Sequence, residues 1–153
     1  MANNTQNFLP ADDNWIMTKL PFKASTAIVE GASIAPEVSV GTTTGNFTLS
    51  GPENAGGANI KCIMAEPIAA TDPDYATAGK RKGVWIPLNA TAKSFFRVGA
   101  GTFTVADVGK TVEVHTDSAS LAVDTAGLGA VITDYISPTR GKCQFRLPYT
   151  ETA

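Results

Sequence analysis

The sequence predicts an all-β fold: a single small β-barrel or β-sandwich of short strands with an extended N-terminal arm. Residues 103–147 alternate apolar and polar side chains in short runs and show no helical period. About nine or ten such runs follow one another along the chain, at the spacing of sandwiches and barrels. A length of 153 residues is typical of one domain with its own core.

The clearest strands lie in the second half of the chain. Residues 111–115 place two valines on one face, and residues 143–147 repeat the same alternation near the C-terminus. Residues 120–124 alternate as well, whereas residues 129–136 form the more continuous apolar run of a buried strand. These four runs predict half of a small sheet or barrel.

The first half of the chain carries turn signals between its strand-like runs. The pair Glu30-Gly31 is turn-like, and Pro36 should confine its strand to an edge or end it. Residues 41–45 are predicted to be a Gly/Thr loop, and residues 51–59 a long loop with an exposed tip.

Residues 69–83 form the longest stretch without a strand pattern. Asp72 suits a helix cap and Pro73 suits a first helical turn, so one short helix is predicted at residues 74–78. The only basic run, residues 80–82, is interpreted as part of a solvated loop.

The N-terminal segment differs from the rest of the chain in composition. Residues 1–21 are polar and Asn-rich, and they contain too few apolar groups for a core. We therefore divide the chain into an arm at residues 1–21 and a β-domain at residues 22–153. The arm is expected to contact a neighbouring subunit or a capsid through Phe8, Leu9, Trp15 and Ile16. The alternative that these residues pack on the same subunit stays open.

Charge and hydropathy limit the classes of partner. The net charge of −2 and the pI near 5.3 argue against nucleic-acid binding, which needs a basic face. No apolar run reaches the length of a membrane span, and the N-terminus lacks the pattern of a secretory signal. We expect a soluble protein that is synthesised in a cytoplasm and has no membrane partner.

The sequence offers no constellation for catalysis. The Gly-Lys-Thr sequence at residues 109–111 lacks the first glycine of a phosphate-binding loop and leads into a strand. His115 is the only histidine, and it falls on the outer face of its strand. Cys62 and Cys143 lie in apolar runs and are interpreted as buried thiols, although a disulfide between them stays open. We predict no enzyme activity, no cofactor and no metal site.

One family shares the order of these strand and turn motifs. The motifs that carry the resemblance are Val108-Gly109-Lys110-Thr111-Val112, His115-Thr116-Asp117, Leu121-Ala122-Val123, the stretches 127–132 and 141–147, Val29-Glu30-Gly31-Ala32, and the run at 57–67. Across residues 24–147 the chain resembles the capsid decoration proteins of tailed bacteriophages, which are also called cement or head-stabilising proteins.

The resemblance implies a structural virion protein without a catalytic site. Such a protein would be made in the cytoplasm of a bacterial host, and it would bind the outer surface of the mature capsid and bridge major capsid subunits as a homotrimer. The alternative is a receptor- or carbohydrate-binding β-module of a head fibre or tail-associated protein. That module would expose an aromatic cluster on its loops, for which Tyr75, Trp85 and Tyr149 are the candidates.

Overall fold

A computed structural model describes residues 7–51 and 62–145 of the chain. The described residues form eleven strands and one short 3-10 helix, Val105–Asp107. The strands are β1 (Leu9–Pro10), β2 (Trp15–Phe22), β3 (Ser33–Ser39), β4 (Thr42–Leu49), β5 (Cys62–Met64), β6 (Lys80–Pro87), β7 (Ser94–Ala100), β8 (Thr111–Val114), β9 (Leu121–Ala126), β10 (Ala130–Ser137) and β11 (Arg140–Phe145). The predicted all-β class is confirmed.

The first sheet closes on itself as a five-stranded barrel in the order β2-β4-β3-β5-β6. β6 pairs antiparallel with β2 along its whole length, from Trp15 opposite Pro87 to Phe22 opposite Lys80. A short parallel contact between β2 and β4, at Phe22 and Phe47, closes the ring. Closure removes most of the free strand edges that an open sheet would expose.

The second sheet has the strand order β1-β7-β11-β10-β8-β9. β7 also pairs in parallel with β9, with Val98 opposite Leu121 and Ala100 opposite Ala122. The strands β7 to β11 therefore form a second closed ring, and β1 is attached outside it through Leu9 and Phe95.

The two rings repeat one topology. In each, the first strand pairs in parallel with the third and antiparallel with the fifth, and the second strand lies between the third and fourth. The register matches as well, because Ser33 and Ile34 pair with Ile63 and Cys62 as Thr111 and Val112 pair with Val131 and Ala130. The described parts of residues 15–87 and residues 94–145 therefore form an internal structural repeat.

Each repeat contains an equivalent hydrogen bond in the loop before its second strand. The Gly31 amide donates to the Met64 carbonyl at 2.8 Å, and the Gly109 amide donates to the Ile132 carbonyl at 2.7 Å. Both glycines have positive φ, 83° and 96°, and each precedes the second strand of its barrel by two residues. The turn predicted at Glu30-Gly31 is confirmed, and it has a counterpart in the second barrel.

Two apolar clusters fill the molecule. One lies inside the first barrel and contains Phe22, Ile34 and Val84. The other fills the second barrel and also takes in Trp15 and Ile63 from the first. The two sheets thus pack on each other through shared apolar contacts as one sandwich-like unit.

Several local predictions are wrong. The proposed boundary between residues 21 and 22 falls inside β2, so residues 15–21 belong to a barrel and not to an arm. Turns replace the short helix predicted at residues 74–78, because the Asp72 carboxylate accepts the amide of Ala69, which precedes it, instead of capping a following turn. Residues 42–45, predicted as loop, begin β4.

The remaining two predictions have different outcomes. β3 continues through Pro36, which lies opposite Phe47 of β4, so the strand does not end there. The described pairing with β5 covers Ser33 and Ile34, and residues 52–61 lie outside the described ranges, so an edge position for Pro36 stays a prediction. Of the loop predicted at residues 51–59, residues 52–59 lie outside the described ranges.

Candidate interaction surfaces

The structure buries two of the four predicted contact residues in the chain's own core. Phe8 has no exposed surface, and its ring lies 4.9 Å from that of Phe145. Trp15 is buried against the same ring and donates its indole N–H to the Lys93 carbonyl at 2.9 Å. The expectation of an intersubunit arm is wrong for these residues, because the intrachain core already removes both rings from water.

The other two predicted contact residues are more accessible. Leu9 is half-buried in β1, where its amide donates to the Ser94 hydroxyl at 3.2 Å. Ile16 lies on β2 opposite Ile86, and half of its side chain is exposed. Of the four predicted contact residues, only Ile16 has an exposed large apolar side chain in the described chain, so it alone offers a large apolar surface for contact.

Three segments that carry exposed apolar side chains reach the same end of the first barrel. β2 and β4 are parallel, so the start of β2 and the β3–β4 turn point to the same end, where the antiparallel β6 finishes. Ile16 at the start of β2 is 52% exposed, Leu88 just after β6 is 59% exposed, and Val40 in the turn is 100% exposed. The Leu88 amide donates to the Asn14 carbonyl at 2.8 Å, and this bond joins the start of β2 to the end of β6. We call Ile16, Val40 and Leu88 the apolar end.

A basic and aromatic patch lies on the outer face of the second barrel. The Phe95 ring is flanked by the Arg140 guanidinium at 5.3 Å and by the Lys142 ammonium at 5.4 Å. Arg97 lies directly opposite Arg140 and forms an ion pair with Asp117 at 3.0 Å. The ring contacts stabilise two like charges on one face.

An open cleft of about 520 Å³ lies beside the 69–79 connection of the first barrel. Its acidic side chains are engaged by the chain itself: Glu66 accepts the Gly83 amide at 2.9 Å, and Asp74 pairs with Lys82 at 3.1 Å. The hydrogen bond that the Lys82 ammonium donates to the Asp74 carboxylate raises the pKa of Lys82. Within residues 7–51 and 62–145, no three His, Cys, Asp or Glu side chains group as metal ligands.

Lys80 is a buried cation held by backbone oxygens. Its ammonium donates to the carbonyls of Lys23, Tyr75 and Thr77 at 2.8, 3.1 and 3.3 Å. Three acceptors satisfy all three N–H donors of a lysine. The prediction that residues 80–82 form a solvated loop is therefore wrong, since Lys80 starts β6 and anchors the loop before it.

Histidine, serine and aspartate meet in one turn, but as a structural network. The Asp117 carboxylate accepts the Ala119 amide and the Ser120 hydroxyl, both at 2.9 Å. The His115 amide donates to the Ser120 carbonyl at 2.8 Å. Ser120 is fully buried and its hydroxyl is bonded to Asp117, so the described contacts do not activate it through an imidazole.

Both cysteines are free and buried, and they belong to different apolar clusters. The interpretation as buried thiols is confirmed, and the alternative of a disulfide is wrong. Burial raises the pKa of Cys62 to about 12 and raises the pKa of Cys143 further. Neither thiol has the accessible thiolate that redox or nucleophilic chemistry requires.

Of the three aromatic residues suggested for a receptor-binding surface, the two that the structure describes pack against different apolar clusters. Tyr75 packs on the first barrel core and Trp85 on the second cluster, and both are half-buried. Tyr149 lies outside the described residues.

The sequence analysis did not identify Val40. It also did not identify the basic and aromatic patch formed by Phe95, Arg140 and Lys142, which we call the Phe95 patch. A Val-Gly pair between two polar alternating runs was the available signal for the hairpin. The Phe95 patch could be found only from the pairing of β7 with β11.

Comparisons with known proteins leave the site to be interpreted from its geometry. No family model, no curated protein and no solved structure matches this chain. Among the described residues, no helix is long and apolar enough to cross a membrane.

Proposed function

We propose that this chain is a structural virion protein that binds the outer surface of the mature phage capsid. In this role it bridges neighbouring major capsid subunits, acts as a homotrimer and has no catalytic activity. The motif resemblance across residues 24–147 supports the proposal from the sequence side. The observation that carries it in the structure is the apolar end, Ile16, Val40 and Leu88.

The apolar end suits attachment because it stands on a rigid support. Ile16 belongs to the fully paired β2–β6 ladder of a closed barrel, and Leu88 directly follows it. Little conformational entropy is lost when such preformed side chains bind, so apolar burial contributes more fully to affinity.

The internal repeat supports the bridging role. Two barrels packed through one shared cluster form a block with separate outer faces: the first carries the apolar end and the second carries the Phe95 patch. A block with two unlike faces can touch two neighbouring subunits at once, and weak contacts repeated over a closed shell add through multivalency.

Cosedimentation with phage heads tests the proposal. The full chain should sediment with expanded heads and remain in the supernatant with immature heads. Expanded heads should also survive heating or low salt longer once the chain is bound. Failure to bind expanded heads, or equal binding to both forms, would contradict capsid decoration. A mass measurement of the free and released protein gives the oligomeric state.

A further inference from the structure

Positive charge is concentrated on four strands of this acidic chain. The ladders that join β2 to β6 and β7 to β11 contain no Asp or Glu. The same four strands contain seven of the twelve basic residues: Lys19, Lys80, Arg81, Lys82, Arg97, Arg140 and Lys142. The other five basic residues share the rest of the chain with all fourteen acidic ones. Each barrel therefore has one ladder of basic character.

The two basic ladders are equivalent in the internal repeat. Each joins the first strand of its barrel to the fifth. Arg81 lies opposite the residue that precedes Phe22, which closes the first ring. Arg140 lies opposite the residue that precedes Val98, which closes the second ring. An arginine thus has the same position in both barrels.

On the first barrel this arginine lies on the outer face of its ladder. Leu20 and Phe22 pack on the barrel core, so the alternate positions Lys19 and Pro21 face away from it. Arg81 lies directly opposite Pro21 and shares that face. Lys19 and Arg81 are both exposed, and the Arg81 guanidinium donates to the Lys19 carbonyl at 2.9 Å. Two cations therefore lie on this outer face.

The second barrel carries three cations on the equivalent ladder. Arg140 and Lys142 flank the Phe95 ring, and Arg97 lies directly opposite Arg140. The Asp117 carboxylate neutralises Arg97, at 3.0 Å. The ring stabilises its two cations through its face but carries no net charge. Arg140 and Lys142 therefore keep their charge.

Four of these five cations have no counterion in the described chain. The four are Lys19, Arg81, Arg140 and Lys142, and the ion pairs among residues 7–51 and 62–145 do not include them. The residues outside those ranges add no net side-chain charge, because their two acidic residues are matched by two basic ones. Those residues are Glu53, Glu151, Lys61 and Arg146. Both ladders are thus complementary to a negative surface from outside the chain.

We propose that the two basic ladders dock on acidic segments of the major capsid protein, one segment to each barrel. This inference rests on the proposed function and names the chemistry of the partner surface. The internal repeat favours this partner, because a shell of identical subunits presents the same acidic segment repeatedly to a block with two equivalent faces. Arginine suits the role, since its planar guanidinium can donate two parallel hydrogen bonds to one carboxylate.

A protein carboxylate fits the ladders better than a nucleic acid does. Each outer face presents only two or three cations, whereas the net charge of the whole chain is −2. A negative net charge opposes the approach of a phosphate backbone, and few phosphates could be neutralised. The unmodified chain should therefore form no complex with double-stranded DNA in a gel-shift measurement.

Neutral substitutions at the two equivalent arginines test the proposal. Arg81→Gln and Arg140→Gln should each weaken binding to expanded heads at least about threefold, and the double variant at least about tenfold. The matched control is Lys110→Gln, which removes an exposed cation outside the four strands and should leave head binding unchanged. Unchanged binding of the double variant, or an equal loss in the control, would overturn the proposal.

Zero-length cross-linking of the unmodified protein identifies what covers the ladders. A carbodiimide joins a lysine amine to a carboxylate in contact with it as an amide, and it takes up the released water to become a urea. In decorated heads, Lys19 and Lys142 should be joined to Asp or Glu of the major capsid protein. If both lysines are joined only to carboxylates of this chain, in the same or a second copy, the proposal is wrong.

Two further outcomes separate the alternatives. A complex with double-stranded DNA that the double arginine variant loses would assign the ladders to nucleic acid and overturn the proposal. If the unmodified chain does not bind expanded heads, the capsid function itself fails, and this inference fails with it.

Discussion

The ring of Phe8 meets the ring of Phe145 edge to face, with 4.9 Å between their centroids and 65° between their planes. The contact joins the first described residues to the last strand, so the N-terminal segment completes the core of the second barrel. Phe8→Ala should lower the free energy of unfolding by about 3–5 kcal/mol. Urea denaturation measures the change, and Ile16→Ala, at an exposed site, should stay within about 0.5 kcal/mol. Deletion of residues 1–16 should therefore unfold the chain, and a stable truncated protein would contradict this assignment.

Lys80 should stabilise the loop that precedes β6. In Lys80→Met, the carbonyls of Lys23, Tyr75 and Thr77 lose their shared donor. We expect a loss of about 1–3 kcal/mol and faster amide hydrogen exchange in residues 69–79. Arg81→Met is the matched control, because the Arg81 guanidinium makes an exposed contact with the Lys19 carbonyl. Equal effects of the two variants would show that burial of Lys80 contributes nothing specific.

The two repeat glycines should respond alike to substitution. Gly31→Ala and Gly109→Ala each force an L-residue into positive φ, and each should cost about 1–2 kcal/mol. Gly141→Ala should cost more for a different reason, since its Cβ would lie 2.5 Å from the Asp134 carbonyl oxygen. Thermal unfolding of the three variants separates the two mechanisms. A large difference between Gly31→Ala and Gly109→Ala would argue against equivalent loops.

Asp117 should contribute to acid sensitivity. Burial raises its pKa, but hydrogen bonds from the Ala119 amide and the Ser120 hydroxyl, together with Arg97, outweigh burial and hold the pKa below the ordinary 3.8. A carboxyl whose pKa is lower when folded stabilises the protein above the unfolded pKa, and this stability is lost as the pH falls through the folded pKa. The free energy of unfolding should therefore decline below about pH 4. Asp117→Asn should be less stable at pH 7 and show a smaller decline, whereas parallel pH profiles would exclude the role.

Local patterns were sufficient for part of the fold. β8 and β11 could be predicted because buried and half-buried residues alternate along the whole of each strand. The barrel partners could not, since the ring closures between Phe22 and Phe47 and between Val98 and Leu121 depend on distant segments. The repeat was also hidden, because most equivalent positions hold different residues, as with Cys62 and Ala130.

The candidate site was less predictable than the fold. Phe8 and Ile16 look alike in sequence, as isolated apolar residues in a polar segment, but one is buried and the other is half exposed. Their burial is decided by whether another part of the chain covers them, and sequence spacing carries no information on that. Val40 was overlooked for a related reason, because its positive φ follows from the register of β3 and β4.

The matched register of the two barrels has a consequence for biosynthesis. Because β3 and β8 have the same place in equivalent ladders, a nascent chain could join β3 to β10 in place of β5 with correct hydrogen-bond geometry. The side chains oppose such exchange, since Cys62 and Met64 of β5 differ in volume from the Ala130 and Ile132 that replace them. A chain with this exchanged pairing should therefore pack its core less well than the native pairing does.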